Sequence, residues 1–245
     1  MKYDFKTIRE SLPQEKNVND SMWVRYFVRK ISFLFTYVFL NFGFSAWVIS
    51  FISALVAIVS AVLLSLDSSS ARWIGIGLIH FWMILDCVDG NIARVKKTTG
   101  SKGEFMDALS GYIMISLSLF ALGIAAYRNP AIFSSNREIY LLMGSLAAIF
   151  TVLTRLIYQK YSISILKMQF QNNENKLDVK NDIKNNKINK IKNTFSKELG
   201  LSGLFMVLVL FAEPFNIYSY IVIFYFLFYF ISFCLIFLYL SLKAR

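Results

Sequence analysis

Cysteine, histidine and proline are scarce in this chain, and each shortage removes a class of protein. The two cysteines, Cys87 and Cys234, both lie in apolar runs, so neither a disulfide framework nor a cysteine metal site is indicated. His80 is the single histidine, which excludes a histidine-rich ligand cluster. The three prolines fall outside the long apolar runs, which leaves those runs free to be helical. Residues 1–20 are polar and lack the apolar stretch of a signal peptide, so membrane insertion is expected to rely on internal segments. No internal repeat is present.

Apolar residues are what the chain has in excess. Hydrophobic types make up 56% and aromatic types 17% of 245 residues, and the mean hydropathy is +0.53. That is too apolar for a soluble domain of this size, and an all-α integral membrane fold is expected. The net charge of +11 raises the question of nucleic acid. The basic residues, however, occupy hydrophilic gaps between apolar runs, where orientation in the bilayer is the simpler explanation.

The pattern predicts a single membrane domain with six spans. Residues 1–30 carry seven Lys/Arg with Trp23, Tyr26 and Phe27 among the later ones, and read as a basic juxtamembrane helix that sets topology. The apolar stretch 31–66 is too long for one span and too short for two. It is divided at Asn41 and Gly43 into an interfacial helix over 31–42 and a first span over 45–66. Further spans are expected at 73–92, 103–127, 139–158, 199–212 and 217–241, with a Lys/Asn-rich surface segment at 160–198. With that layout all basic residues but Arg72, Arg128 and Arg137 fall on one side, the side of both termini. The bias predicts that side to be cytoplasmic, in the cell membrane.

One stretch stands apart from the oily background: Asp86-Cys87-Val88-Asp89-Gly90-Asn91-Ile92-Ala93-Arg94. Only 13 residues of the second span precede Asp86, so the helix must continue through the acids to cross about 30 Å of hydrocarbon. Asp86 and Asp89 share a helical face with Gly90 and Ala93, whose small side chains leave room for a ligand. After the polar loop 94–102, Asp107 enters the third span at the same depth. Carboxylates crowded at a membrane boundary repel one another unless a cation compensates. Oxygen ligands alone suit a hard divalent ion, Mg²⁺ or Mn²⁺, which also accepts phosphate oxygens. The loop cations Lys96, Lys97 and Lys102 favour the same anionic partner. A nucleotide diphosphate donor and a lipid participant follow as expectations.

The run Asp86-x-x-Asp89-Gly90-x-x-Ala93-Arg94, then eight residues, then Gly103-x-x-x-Asp107, resembles the signature of the CDP-alcohol phosphotransferase (CDP-alcohol phosphatidyltransferase) family. The resemblance implies transfer of a phosphoryl-alcohol group from a CDP-alcohol donor to an acceptor, release of CMP, and a homodimer. It also implies that Asp86, Asp89 and Asp107 hold the metal, that Gly90, Ala93 and Gly103 let the nucleotide approach the backbone, and that Arg94 contacts nucleotide or phosphate. The family's pattern ends with an aspartate four residues after Asp107, assigned as metal ligand and base, and this chain has Gly111 there. It also has Ser45-Ala46-Trp47-Val48-Ile49-Ser50 where the family often carries a Thr/Ser-Pro-Asn run.

Three readings of Gly111 stand open. The acceptor is a phosphate monoester, already ionised and in no need of a base; or another group such as Glu104 takes the role; or the chain binds a CDP-alcohol without turning it over. Arg155, at the inner end of the fourth span, is either a clamp for acceptor phosphate or a snorkelling cation. His80 is expected to pack rather than ligate, and Ser110 to serve helix packing or metal-linked water. A transporter with intramembrane acids is the weaker alternative, since the acids sit at one end of the spans.

Overall fold

A computed structural model describes residues 3–13, 16, 20–171 and 199–243, and the longer elements among them are all helical. In chain order they are α1 (Phe5–Glu10), α2 (Arg29–Asn41), α3 (Ala46–Leu64), α4 (Ser69–Val95), α5 (Ser101–Arg128), α6 (Glu138–Gln171), α7 (Met206–Leu210) and α8 (Tyr218–Lys243). A π-helical turn, Val24–Val28, leads into α2, and another, Leu201–Phe205, leads into α7.

Five helices are long and apolar enough to cross a membrane: α3, α4, α5, the Glu138–Ser164 part of α6, and α8 as far as Leu242. The segment expected as a fifth span is instead a shorter apolar helix, Leu201–Leu210. At 1.5 Å per residue it covers about 15 Å, half the hydrocarbon, and Gly203 breaks its helical backbone. The sequence pattern ends the fourth span at Tyr158, but α6 runs on to Gln171 because residues 159–171 contain no Gly or Pro to stop it. The rest of the Lys/Asn-rich segment, 172–198, lies outside the described residues.

The break at Asn41 and Gly43 is a helix stop held by backbone bonds. Gly43 N–H donates to Leu40 O and Phe44 N–H to Phe39 O, with Gly43 at φ +86, the left-handed position that closes such a motif. Ser45 then caps α3 by accepting from Val48 N–H. The same stop recurs at the end of α4, where Lys97 N–H donates to Arg94 O and Thr98 N–H to Ala93 O. There Lys97 takes the positive φ, at 52°. Lys96 Nζ joins the two stops by donating to Phe44 O at 2.7 Å. The end of the acidic helix is thereby fixed against the end of α2.

Small residues bring the spans close. An added Cβ at Gly75 would lie 2.9 Å from Leu64 N, and Ser60 Oγ donates to Gly75 O at 3.0 Å, so α3 and α4 meet backbone to backbone. Gly123 of α5 and Gly144 of α6 face one another in the same way. The N-terminal segment is more than an anchor: Ile8 is fully buried in a cluster with Leu40, Ile49, Leu85, Val88 and Ile92. Its apolar side chain packs onto the acidic segment of α4.

Candidate active site

Helix α4 brings Asp86, Asp89 and Gly90 to its C-terminal end, and α5 brings Asp107 from its second turn. All four line one cleft of about 230 Å³. Asp89 is buried and accepts a 2.5 Å hydrogen bond from Ser50 Oγ on α3. Asp86 and Asp107 line this cleft and also the one beside it. With Asp89 drawn to Ser50, the three carboxylates share a cleft without converging. Among the described residues no group of three His, Cys, Asp or Glu side chains is gathered tightly enough to enclose a metal ion.

A chain of hydroxyls holds this end of the bundle. Ser53 and Ser110 are 2.7 Å apart through their Oγ atoms, and Trp82 Nε1 donates to Ser110 Oγ at 2.8 Å. Ser110 therefore joins α3, α4 and α5, which is a packing role. Asn91 Nδ2 donates to Thr36 Oγ1 at 3.0 Å, so α2 is fixed to α4 one turn beyond Asp86.

The other signature positions divide. Arg94 does not line the cleft; its Nη2 donates to Asn91 Oδ1 at 2.5 Å and its guanidinium lies over Gly90, 3.3 Å from where a Cβ would be. Gly90 thus makes room for Arg94 as well as for a ligand. Ala93, Gly103 and Glu104 line neither this cleft nor the next, and Glu104 is exposed in the first turn of α5. His80 bonds the Ile76 carbonyl of its own helix at 2.9 Å and meets the edge of Trp23.

A second cleft, about 500 Å³, adjoins the first through their shared residues Met83, Asp86, Asp107 and Ser202. Gly111, Thr151, Thr154 and Arg155 line it together with Trp82, Phe228 and Ile236. A Cβ at Gly111 would meet nothing within 4 Å. The position is open space, and no neighbouring side chain has moved in to replace a carboxylate there. Arg155 lies 5.1 Å from the Tyr112 ring centre, a cation over an aromatic face.

Several lining residues escaped the sequence reading. Lys16, Asp20, Ser21 and Arg29 from the N-terminal segment share the cleft with the acids. Arg29 is 5% exposed and its Nε donates to Asp20 Oδ2 at 2.6 Å. Burial opposes the charge on Arg29, but its anionic surroundings, Asp20 and Asp86 among them, more than offset this and hold its pKa above the usual value. No periodicity announces a contact between residues nine apart across a turn. Ser50 did carry a signal: Ser50, Ser53, Ala57 and Ser60 follow helical spacing and form the buried face of α3.

A multi-pass helical protein with a carboxylate-lined cleft at one end of its spans, opening beside a half-apolar cavity with one arginine, is suited to phosphate chemistry at a membrane boundary. The sequence profile of the CDP-alcohol phosphatidyltransferase family matches residues 44–231, and the chain belongs to that family. Its members are in general transferases that pass a phosphoryl-alcohol group from a CDP-alcohol to an acceptor. No curated protein sequence matches the chain.

Proposed function

We propose that the chain is an active, divalent-metal-dependent CDP-alcohol phosphotransferase whose acceptor carries a phosphate. The observation that carries this reading is the pair of adjoining clefts, one lined by Asp86, Asp89 and Asp107, the other by Arg155 and the open position at Gly111. The donor's diphosphate belongs in the first cleft and the acceptor in the second, with Asp86 and Asp107 on the boundary.

The donor set suits Mg²⁺ or Mn²⁺. Asp86, Asp89 and Asp107 line one cleft, and like charges crowded there are tolerated only with protons or a cation to compensate. Asp86, Asp89 and Asp107 would hold the ion, which when bound neutralises charge on the reacting phosphates. Ser50 orients Asp89, and Gly90 leaves the backbone open toward the nucleotide. In the reaction an acceptor oxygen bonds to the phosphorus that carries the donor alcohol, and the bond from that phosphorus to CMP breaks. A phosphate monoester oxygen is already ionised, so no proton has to leave and the second cleft needs no base. Arg155 balances its charge, while Trp82, Phe228 and Ile236 suit an apolar tail.

The basic residues that flank the acidic end of the spans support a cytoplasmic site in the cell membrane. A homodimer is consistent with family membership. The deciding measurement is Mg²⁺-dependent CMP release from a panel of CDP-alcohols offered alcohol or phosphate acceptors in membranes. Release that requires Asp89 and prefers a phosphate acceptor is expected. CDP-alcohol binding without CMP release would make the chain a silent binder, and full activity in Asp89→Asn would remove the metal assignment.

A further inference from the structure

The donor cleft is closed on one side by residues far from the acidic motif. Asp20, Ser21, Val24 and Arg29 line it with Lys16, and Ser21 Oγ donates to the Ser202 carbonyl, which ties this segment to the turn before α7. Arg29 is the best-enclosed cation of the cleft. Its bond to Asp20 uses Nε alone, at 2.6 Å. A guanidinium has five N–H donors, so four remain on the two Nη nitrogens. None of these has a hydrogen-bond partner among the described residues, and neither nitrogen is sealed away as an unpaired buried atom. Arg94, the signature arginine, by contrast lines neither cleft, and its Nη2 donates to Asn91 Oδ1.

The charge balance of the cleft makes this arrangement informative. Its titratable lining includes four carboxylates, Asp20, Asp86, Asp89 and Asp107, against two cations, Lys16 and Arg29. An arginine used only to staple Asp20 would contribute little as a buried pair and would have no reason to face the cavity. The planar fork matches two phosphate oxygens, which a compact ammonium does not.

We propose that Arg29, oriented by Asp20 through Nε, binds the diphosphate of the nucleotide donor through its Nη edge, making the N-terminal segment part of the donor site. This rests on the reading of the first cleft as the donor site. The full chain in detergent with Mg²⁺ tests it by equilibrium dialysis of CDP, with cytidine as competitor. Arg29→Lys keeps the charge and loses the fork; the double variant Asp20→Asn/Arg29→Gln keeps the shape and removes both charges, which guards against a folding defect.

Both variants are expected to bind CDP about tenfold or more weakly, with the cytidine inhibition constant and the melting temperature unchanged. CDP affinity within about twofold of wild type in the double variant overturns the inference. So does an equal loss for cytidine and CDP, which marks a collapsed cleft rather than a missing phosphate contact. A wild-type protein that binds no CDP removes the donor-cleft reading itself, whereas intact CDP binding in the variants removes Arg29 alone.

Discussion

Ser50 on α3 donates a 2.5 Å hydrogen bond to Asp89 on α4, and the carboxylate it holds is one of the four that line the cleft. A bond to an ionised acceptor of this kind is worth more than a neutral one, about 1.5–3 kcal/mol. Ser50→Ala is therefore expected to weaken Mg²⁺-dependent CDP binding about tenfold while the helices stay packed. Isothermal titration of CDP at saturating Mg²⁺ checks this, and an unchanged affinity would show that Asp89 needs no such support.

Gly111→Asp should fold normally, because a side chain there enters open space. With a base restored next to Asp107, CMP release to alcohol acceptors should rise about tenfold or more. Release to phosphate acceptors should fall, since the new charge repels them. A gain confined to phosphate acceptors would defeat the acceptor assignment, and parallel acceptor series in vesicles would show it.

Gly123→Val places a branched side chain where the first added carbon already lies 2.8 Å from Tyr140 O, a backbone atom that cannot swing aside. Destabilisation of about 1–3 kcal/mol is expected from overpacking. Gly43 aside, glycines with open surroundings offer the control: Gly77→Ala meets nothing within 4 Å and should not lower the melting temperature.

At the other end of the bundle, Arg72 donates to Glu213 through Nε at 2.7 Å and Nη2 at 2.9 Å, and Tyr218 OH donates to the same carboxylate. Burial pushes the Glu213 carboxyl up, but hydrogen bonds from Arg72, Ser69 and Tyr218 outweigh it and hold the pKa at about 2, below its ordinary 4.5. A depressed carboxyl stabilises the fold above its unfolded pKa and loses that contribution as pH falls through the folded one. The stability advantage of wild type over Glu213→Gln should therefore be full at pH 5 and shrink toward pH 2. Paired melting curves in detergent at acid pH would reveal it, and a constant difference would rule it out.

The membrane class, the helical breaks and the acids of the cleft were legible because they depend on local chain properties. Apolar run length predicts spans, Gly43 marks a stop, and the spacing of Asp86, Asp89 and Asp107 brings them to one end of neighbouring helices. What depends on packing was not legible. The pattern around Leu201 is apolar enough for a span but too short once Gly203 breaks it. Arg94 stands at the signature position, but its Nη2 bonds Asn91 and it lines neither cleft. Lys16 and Arg29 read as part of a topology anchor because a basic segment beside a membrane serves that purpose without any contact to the site. The burial of Ile8 against α4 and the bond from Ser21 to Ser202 show that the segment folds inward.

The backbone contact between Gly123 and Gly144 also has a mechanical side. Asp107 lies 16 residues from Gly123 along α5, about 24 Å at helical rise. Arg155 lies 11 residues from Gly144 along α6, about 16 Å. The crossing therefore stands at the far end of two long helical arms from the residues that line the clefts. A rocking of about 5° at the glycines displaces Asp107 by about 2 Å on such an arm, enough to alter which atoms are in hydrogen-bonding range. A backbone contact at one end of the bundle thus helps to fix how the walls that bear Asp107 and Arg155 stand at the other.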